Sequence, residues 1–158
     1  MATQSVYVET SVVSYLASRS SRDPIVAGHQ AATHEWWNVR RGRYGLYVSE
    51  LVIAEAGRGH EEAAVKRLAL LDGIDLLRIT EEVSIFAQTL IDRQAIPRVA
   101  SADAVHVAVA AVNGMHYLLT WNCKHIANAE RRDAILAACL QCGYKPPVIC
   151  TPDELAGD

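Results

Sequence analysis

Glycine and proline are scarce, at 9 and 5 of 158 residues, which excludes both a fibrous repeat and a Pro/Gly-rich disordered chain. An excess of positive charge is also missing, since 15 Lys and Arg face 18 Asp and Glu for a formal net charge of -3. A protein that coats nucleic acid by bulk electrostatics needs a strongly basic balance, so any polyanion must be gripped locally. Long hydrophobic runs are lacking too. The longest nearly apolar stretch, Ala104 to Val112, carries His106 and falls far short of the ~20 residues a spanning helix needs. The opening "MATQSVYVE" has no basic segment leading into an apolar core and a small-residue cleavage site, so the expectation is a cytoplasmic protein without membrane association. Cysteine is confined to the last quarter, at Cys123, Cys139, Cys142 and Cys150, and without export these are expected to be reduced thiols. Cys139 and Cys142 form a C-x-x-C with Cys123 and His125 upstream, but one such pair in helix-like sequence is a weak zinc signal.

What is present is a globular composition, 51% hydrophobic and 21% charged, long enough to bury a core without disulfides or structural metal. One domain over residues 1–158 is expected. Ser5 to Glu9 reads as a short strand buried on both faces, followed at once by the helical "SVVSYLAS". A helix is predicted from Ile25 to about Arg43, a strand over Gly45 to Ser49, and helical spacing from Glu50 to the glycines Gly57 and Gly59. Beyond these come a helix over Glu61 to Leu71, a strand over Asp75 to Ile79, and a helix from Thr80 to about Gln94. Ser101 reads as the cap of a helix ending at Asn113 and Gly114; His116 to Thr120 as a strand; Lys124 to Gln141 as the last long helix; and "VIC" as a final strand. Strands separated by helices throughout predict an α/β fold, a three-layer α/β/α sandwich with a short, mainly parallel central sheet.

That architecture localises the chemistry, because ligands of open parallel sheets bind outside the carboxyl ends of the strands, near a switch in strand order. Glu9 ends the first strand and Asn122 lies two residues past the fourth. Asp103 sits in the first turn of the helix that feeds the fourth strand, and Glu55 on the helix leaving the second. One cleft collecting these oxygens would suit Mg2+ or Mn2+, hard cations that take carboxylate and water oxygen, and a cation would relieve the repulsion between packed carboxylates. Each residue also has a plainer role open to it. Asp103 can serve a helix N-terminus, Glu55 can pair with Arg58, Asn122 can cap the last helix, and Thr10 or Ser11 the first. Glu9 is hardest to explain away, because a carboxylate at the end of a buried strand must find a partner.

Three stretches then resemble the PIN domain family, and the likeness covers nearly the whole chain. "VYVETSVVSYL" is similar to that family's opening acidic strand, "VSELVIAEAGRG" to its second acidic motif, and "SADAVHVAVAAVNGMHYLLTWNCKHIAN" to its Asp-Ala helix, following strand and Thr-x-Asn or Thr-x-Asp turn. The third is the most specific. Order, spacing and length agree best with small bacterial toxins of the VapC type. By that resemblance the chain is expected to be a Mg2+- or Mn2+-dependent ribonuclease and a dimer, acting on an RNA substrate and inhibited by a cognate antitoxin protein. The resemblance makes Glu9, Glu55 and Asp103 the first three acidic metal ligands and places Asn122 in the fourth polar position. Glu50 competes with Glu55, but "AEAGRG" favours Glu55. Two positions depart from the family's usual Asp: Glu9 adds a methylene, and Asn122 removes a charge while keeping an oxygen.

Thr120 and Thr10 are expected to orient ligands or a water through their hydroxyls. Arg58, Lys124 and the Arg40 to Arg43 cluster are candidates for gripping phosphate, the last being equally suited to closing a helix C-terminus. Trp36 and Trp37 are adjacent, so a regular helix cannot bury both on one narrow face; one is left for a partner chain or the core. The alternative within the family is a catalytically weakened module that binds protein or RNA. A receiver-type phosphoacceptor fits poorly, because "VETSV" supplies one acid where that class needs adjacent acids, and "DLLRIT" ends in threonine.

Overall fold

A computed structural model describes residues 3–157. Five strands form a single parallel sheet in the order β3-β2-β1-β4-β5. They are β1 (Ser5–Val8), β2 (Gly45–Ser49), β3 (Asp75–Leu77), β4 (Tyr117–Leu119) and β5 (Val148–Cys150). Seven helices connect them: α1 (Thr10–Ala17), α2 (Pro24–Glu35), α3 (Glu50–Ala56), α4 (Glu61–Leu70), α5 (Glu81–Asp92), α6 (Ser101–Val112) and α7 (Ala129–Gln141). The expected α/β sandwich with a parallel sheet is therefore present. The connection from β1 to β2 runs to one side of β1 and that from β3 to β4 returns to the other. With right-handed crossovers, α1 to α4 take one face of the sheet and α5 to α7 the opposite face.

β1 occupies the centre because nothing in it needs water: Val6, Tyr7 and Val8 are all fully buried. It pairs with β2 from Ser5 opposite Gly45 and with β4 up to Val8 opposite Leu119. That register places Glu9 and Thr120 side by side just beyond the strand ends, with the Glu9 N–H bonded to the Leu119 carbonyl at 3.0 Å. The helix α6 is buried almost all round through Ala104, Val107, Ala108, Val109, Ala110 and Ala111, small side chains that let its backbone lie close to the sheet and to α5.

Several boundaries differ from expectation for identifiable reasons. The helix predicted to run from Ile25 to Arg43 stops being regular at Glu35 and continues as a wider π-helical turn over Trp36–Arg40, then a 3-10 turn over Arg41–Arg43. The irregular turn lets both tryptophans turn inward, with Trp36 1% and Trp37 9% exposed, so of the two places open to the second indole it takes the core. Trp36 stacks on Tyr44, and the Arg41 guanidinium lies 4.0 Å from the ring centre of Trp37. The last helix begins at Ala129 rather than Lys124, capped by the Asn128 side chain, which accepts the Glu130 N–H at 2.9 Å. Ser101 is the first residue of α6 and not its cap, because a 3-10 turn over Arg98–Ala100 leads straight into the helix. β3 ends at Leu77 because the Ile79 N–H is diverted to the Glu50 carboxylate at 2.7 Å.

Candidate metal centre

The order of strands reverses at β1, whose neighbours β2 and β4 lead to connections on opposite faces, and the crevice lies beyond the carboxyl ends of β1 and β4. Glu9 stands at its floor. Its carboxylate caps α1, a place expected for Thr10 or Ser11: Oε2 accepts the Ser11 N–H at 3.1 Å. Oε1 accepts the hydroxyls of Ser11 and Thr120, both at 2.5 Å. The partner that a buried carboxylate demands is thus three donors, two from the first turn of α1 and one from Thr120 just past β4. The Ser11 oxygen also accepts the Trp121 N–H at 2.8 Å, which fastens the loop after β4 to α1.

Glu55, on the last turn of α3, reaches back to the same crevice. Its Oε1 accepts the Thr10 hydroxyl at 2.6 Å and lies 2.7 Å from His106 Nε2. Burial pushes its carboxyl pKa up, but the His106 and Thr10 hydrogen bonds and the nearby Arg58 charge outweigh that effect and hold it below the ordinary glutamate value. Pairing with Arg58 is therefore not where this carboxylate is spent. Glu50 is excluded as the convergent acid, because its carboxylate is committed to Ile79.

His106 completes a group of three. One ligand atom each from Glu9, Glu55 and His106 lie within 4.8 Å of one another, the one such His/Cys/Asp/Glu group among the described residues. His106 Nε2 is 3.9 Å from Glu9 Oε2 and 2.7 Å from Glu55 Oε1. Two carboxylates whose Oε1 atoms are tied down by donors, and whose Oε2 atoms are less committed, form a donor set that fits a hard divalent cation.

Asp103 lies one helical turn before His106 but outside that trio. Its Oδ2 is 2.9 Å from His125 Nδ1. The same His125 donates its backbone N–H to Asn122 Oδ1 at 3.1 Å, so one residue of the turn after β4 links the third and fourth candidate positions. Asn122 does not cap the last helix; its N–H donates to Thr120 Oγ1 at 2.9 Å and its side chain shapes this turn. Of the six residues expected at the site, the structure joins Glu9 to Thr120 and Glu55 to Thr10 directly. Asp103 and Asn122 are joined to each other through His125.

Lys124 follows β4 at the carboxyl edge, and Arg58 follows α3 close enough to influence Glu55. The Arg40 to Arg43 cluster, by contrast, precedes β2 and so lies at the amino edge of the sheet, away from the crevice. A zinc site around the C-x-x-C is also absent from the described residues: Cys139 and Cys150 are buried, Cys123 and Cys142 exposed, and His125 is taken by Asp103. Burial pushes the Cys139 thiol up to about 11 and the Cys150 thiol up to about 12.

Sequence reasoning passed over His106, Tyr7 and Ser49. His106 carried a signal, a lone titratable group one turn after Asp103 and hence on the same side of the helix. Tyr7 and Ser49 carried none, since nothing local distinguishes them from strand residues.

The family model described as "PIN domain" matches residues 6–126. No curated protein matches the sequence. Among solved structures, the chain is similar to VapBC2 from Rickettsia felis, solved bound to a DNA fragment from its promoter, with a TM-score of 0.60 and 12% identity over 94% of this chain and 98% of that one. It is also similar to VapC20 from Mycobacterium tuberculosis, a toxin that cleaves the sarcin-ricin loop, with a TM-score of 0.59 and 16% identity over 89% of this chain and 96% of that one.

Proposed function

Since the chain belongs to the PIN domain family, we propose that it is a Mg2+- or Mn2+-dependent endoribonuclease, the toxin of a toxin–antitoxin pair. The observation that carries this reading is the convergence of Glu9, Glu55 and His106 at the carboxyl edge between β1 and β4. Likeness to a sarcin-ricin loop cleaving toxin supports RNA as the substrate, and likeness to a VapBC structure supports an antitoxin as partner. A homodimer acting in the cytoplasm belongs to the same proposal. Among the described residues no helix is long and apolar enough to cross a membrane.

The protein's own groups have distinct tasks in this proposal. Glu9 and Glu55 would hold the cation, their Oε1 atoms anchored by Thr120, Ser11 and Thr10 so that little reorganisation would accompany binding. Asp103 and Asn122, held together by His125, face the same edge as further oxygen ligands or as acceptors that orient a water. A bound divalent cation would supply the Lewis acidity and the acidified water that phosphodiester hydrolysis requires. Lys124 and Arg58 would hold RNA phosphates, which a net acidic chain must grip through a few local cations.

The test is a cleavage assay on single-stranded and structured RNA with added Mn2+ or Mg2+, comparing the natural sequence with Asp103→Asn and Glu55→Gln. Cation-dependent cleavage that both substitutions abolish is the expected result. A folded natural protein that neither cleaves RNA nor binds either cation would replace this reading with that of a PIN module acting by binding alone.

A further inference from the structure

The Glu55 carboxylate is fastened to the core by a buried chain of polar groups that the cleavage chemistry does not itself require. The Val52 N–H donates to Ser49 Oγ at 3.3 Å, and Ser49 Oγ lies 2.8 Å from the Tyr7 hydroxyl. That hydroxyl lies 2.7 Å from His106 Nδ1, and His106 Nε2 lies 2.7 Å from Glu55 Oε1. Ser49, Tyr7 and His106 are all buried, so each hydrogen must find an acceptor within the protein.

One assignment satisfies the whole chain. A carboxylate only accepts, so Nε2 carries the imidazole hydrogen and donates it to Glu55. Nδ1 is then an acceptor and takes the Tyr7 hydroxyl hydrogen, the Tyr7 oxygen takes that of Ser49, and the Ser49 oxygen takes the Val52 N–H. Run the other way, the chain leaves the Ser49 hydroxyl hydrogen without an acceptor among the described residues, a loss a buried group does not bear cheaply.

We propose that His106 is a positioning residue for Glu55, oriented by Tyr7 and Ser49, and not itself a ligand of the cation. This rests on the metal centre proposed above. With His106 and Thr10 both donating to Oε1, that oxygen is saturated and the carboxylate is held in place, which would leave Oε2 as the atom free to take a cation. Tyr7 thereby links the middle of the central strand to the edge where the chemistry sits.

The experiment measures Mn2+ binding by electron paramagnetic resonance for the natural protein and for His106→Gln, His106→Ala and Tyr7→Phe, with a thermal melt of each metal-free variant. The amide of Gln can reach about as far as the imidazole Nε2–H, so His106→Gln retains affinity to within a few-fold. His106→Ala weakens Mn2+ binding about ten-fold or more, the usual effect of losing a group that orients a ligand. Tyr7→Phe weakens it to a smaller extent, and long-range 1H–15N spectra of the metal-free protein show His106 protonated on Nε2. Unchanged Mn2+ affinity in folded His106→Ala overturns the proposal. So do an equal loss in the Gln and Ala variants, imidazole nitrogen coupling to bound Mn2+, or an Nδ1–H tautomer. If His106→Ala does not fold, the Gln variant and the tautomer decide. A natural protein that binds no Mn2+ overturns the metal centre and this inference together, whereas normal binding with an indifferent His106→Ala overturns this inference alone.

Discussion

Replacing Glu9 by Asp restores the shorter acid usual in the family and asks what the extra methylene does. One carbon fewer retracts the carboxylate by about 1.5 Å. The cap on α1 survives, because Asp is as good an N-cap as exists and the Ser11 N–H is two residues away. The Thr120 hydroxyl cannot follow, since it is fixed at the end of β4, where its N–H bonds the Cys150 carbonyl, and is fully buried, so its 2.5 Å contact opens beyond the roughly 2.5–3.0 Å range of an O–H···O bond. The Thr120 oxygen keeps the Asn122 N–H, but its buried hydroxyl hydrogen loses its acceptor, which costs about 1–3 kcal/mol. For a chain of this size about 2 kcal/mol corresponds to a melting temperature roughly 4–8 °C lower. Weaker Mn2+ binding accompanies it, because the carboxylate also withdraws from Glu55. The assay is a metal-free thermal melt of Glu9→Asp, Thr120→Val and the double variant, with Mn2+ titrations alongside. If the lost contact is the cause, Thr120→Val costs much less in the Glu9→Asp background than in the natural one, a coupling the double-mutant cycle isolates. A Glu9→Asp variant that melts as high as the natural protein and binds Mn2+ more tightly would refute the reasoning and mark the methylene as a handicap.

Three further outcomes are expected. Because the Glu55 carboxyl titrates below its ordinary value of 4.5 in the folded protein, its stabilising contribution is complete above that value and disappears as pH falls through the lower folded one. Metal-free melts should therefore drop below about pH 4.5, with a shallower drop in Glu55→Gln, and an unchanged slope in that variant would contradict the assignment. Glu50→Gln weakens the tie to Ile79 and lowers stability by about 1 kcal/mol in denaturant titration, while Mn2+ affinity stays put. Brief iodoacetamide treatment of the native protein, read by mass spectrometry, should modify Cys123 and Cys142 and spare the buried Cys139 and Cys150.

Local sequence carried most of the architecture. An unbroken apolar β1, helix signals with clear stops at Gly57 and Gly114, and regular alternation of element type led to the parallel sheet, and hence to the edge where Glu9 and Thr120 meet. It failed where neighbours overruled propensity. The second helix loosens at Trp36 because two adjacent indoles must both turn inward, and α7 starts late because the turn after β4 is held by Asn122, His125 and Asn128.

The candidate site divides along the same line. Glu9, Glu55, Asp103, Asn122, Thr10 and Thr120 could be named from their places near element ends together with the resemblance to the PIN family, which alone favoured Glu55 over Glu50. Which atoms meet was a tertiary matter, because it depends on contacts between residues dozens to more than a hundred positions apart. Only the assembled core brings His106 between Tyr7 and Glu55, sets Thr120 against Glu9, places His125 between Asp103 and Asn122, and leaves the Arg40 to Arg43 cluster at the opposite edge. A strand's sequence shows that its side chains are buried; it does not show what hydroxyl or imidazole the rest of the chain will deliver to them.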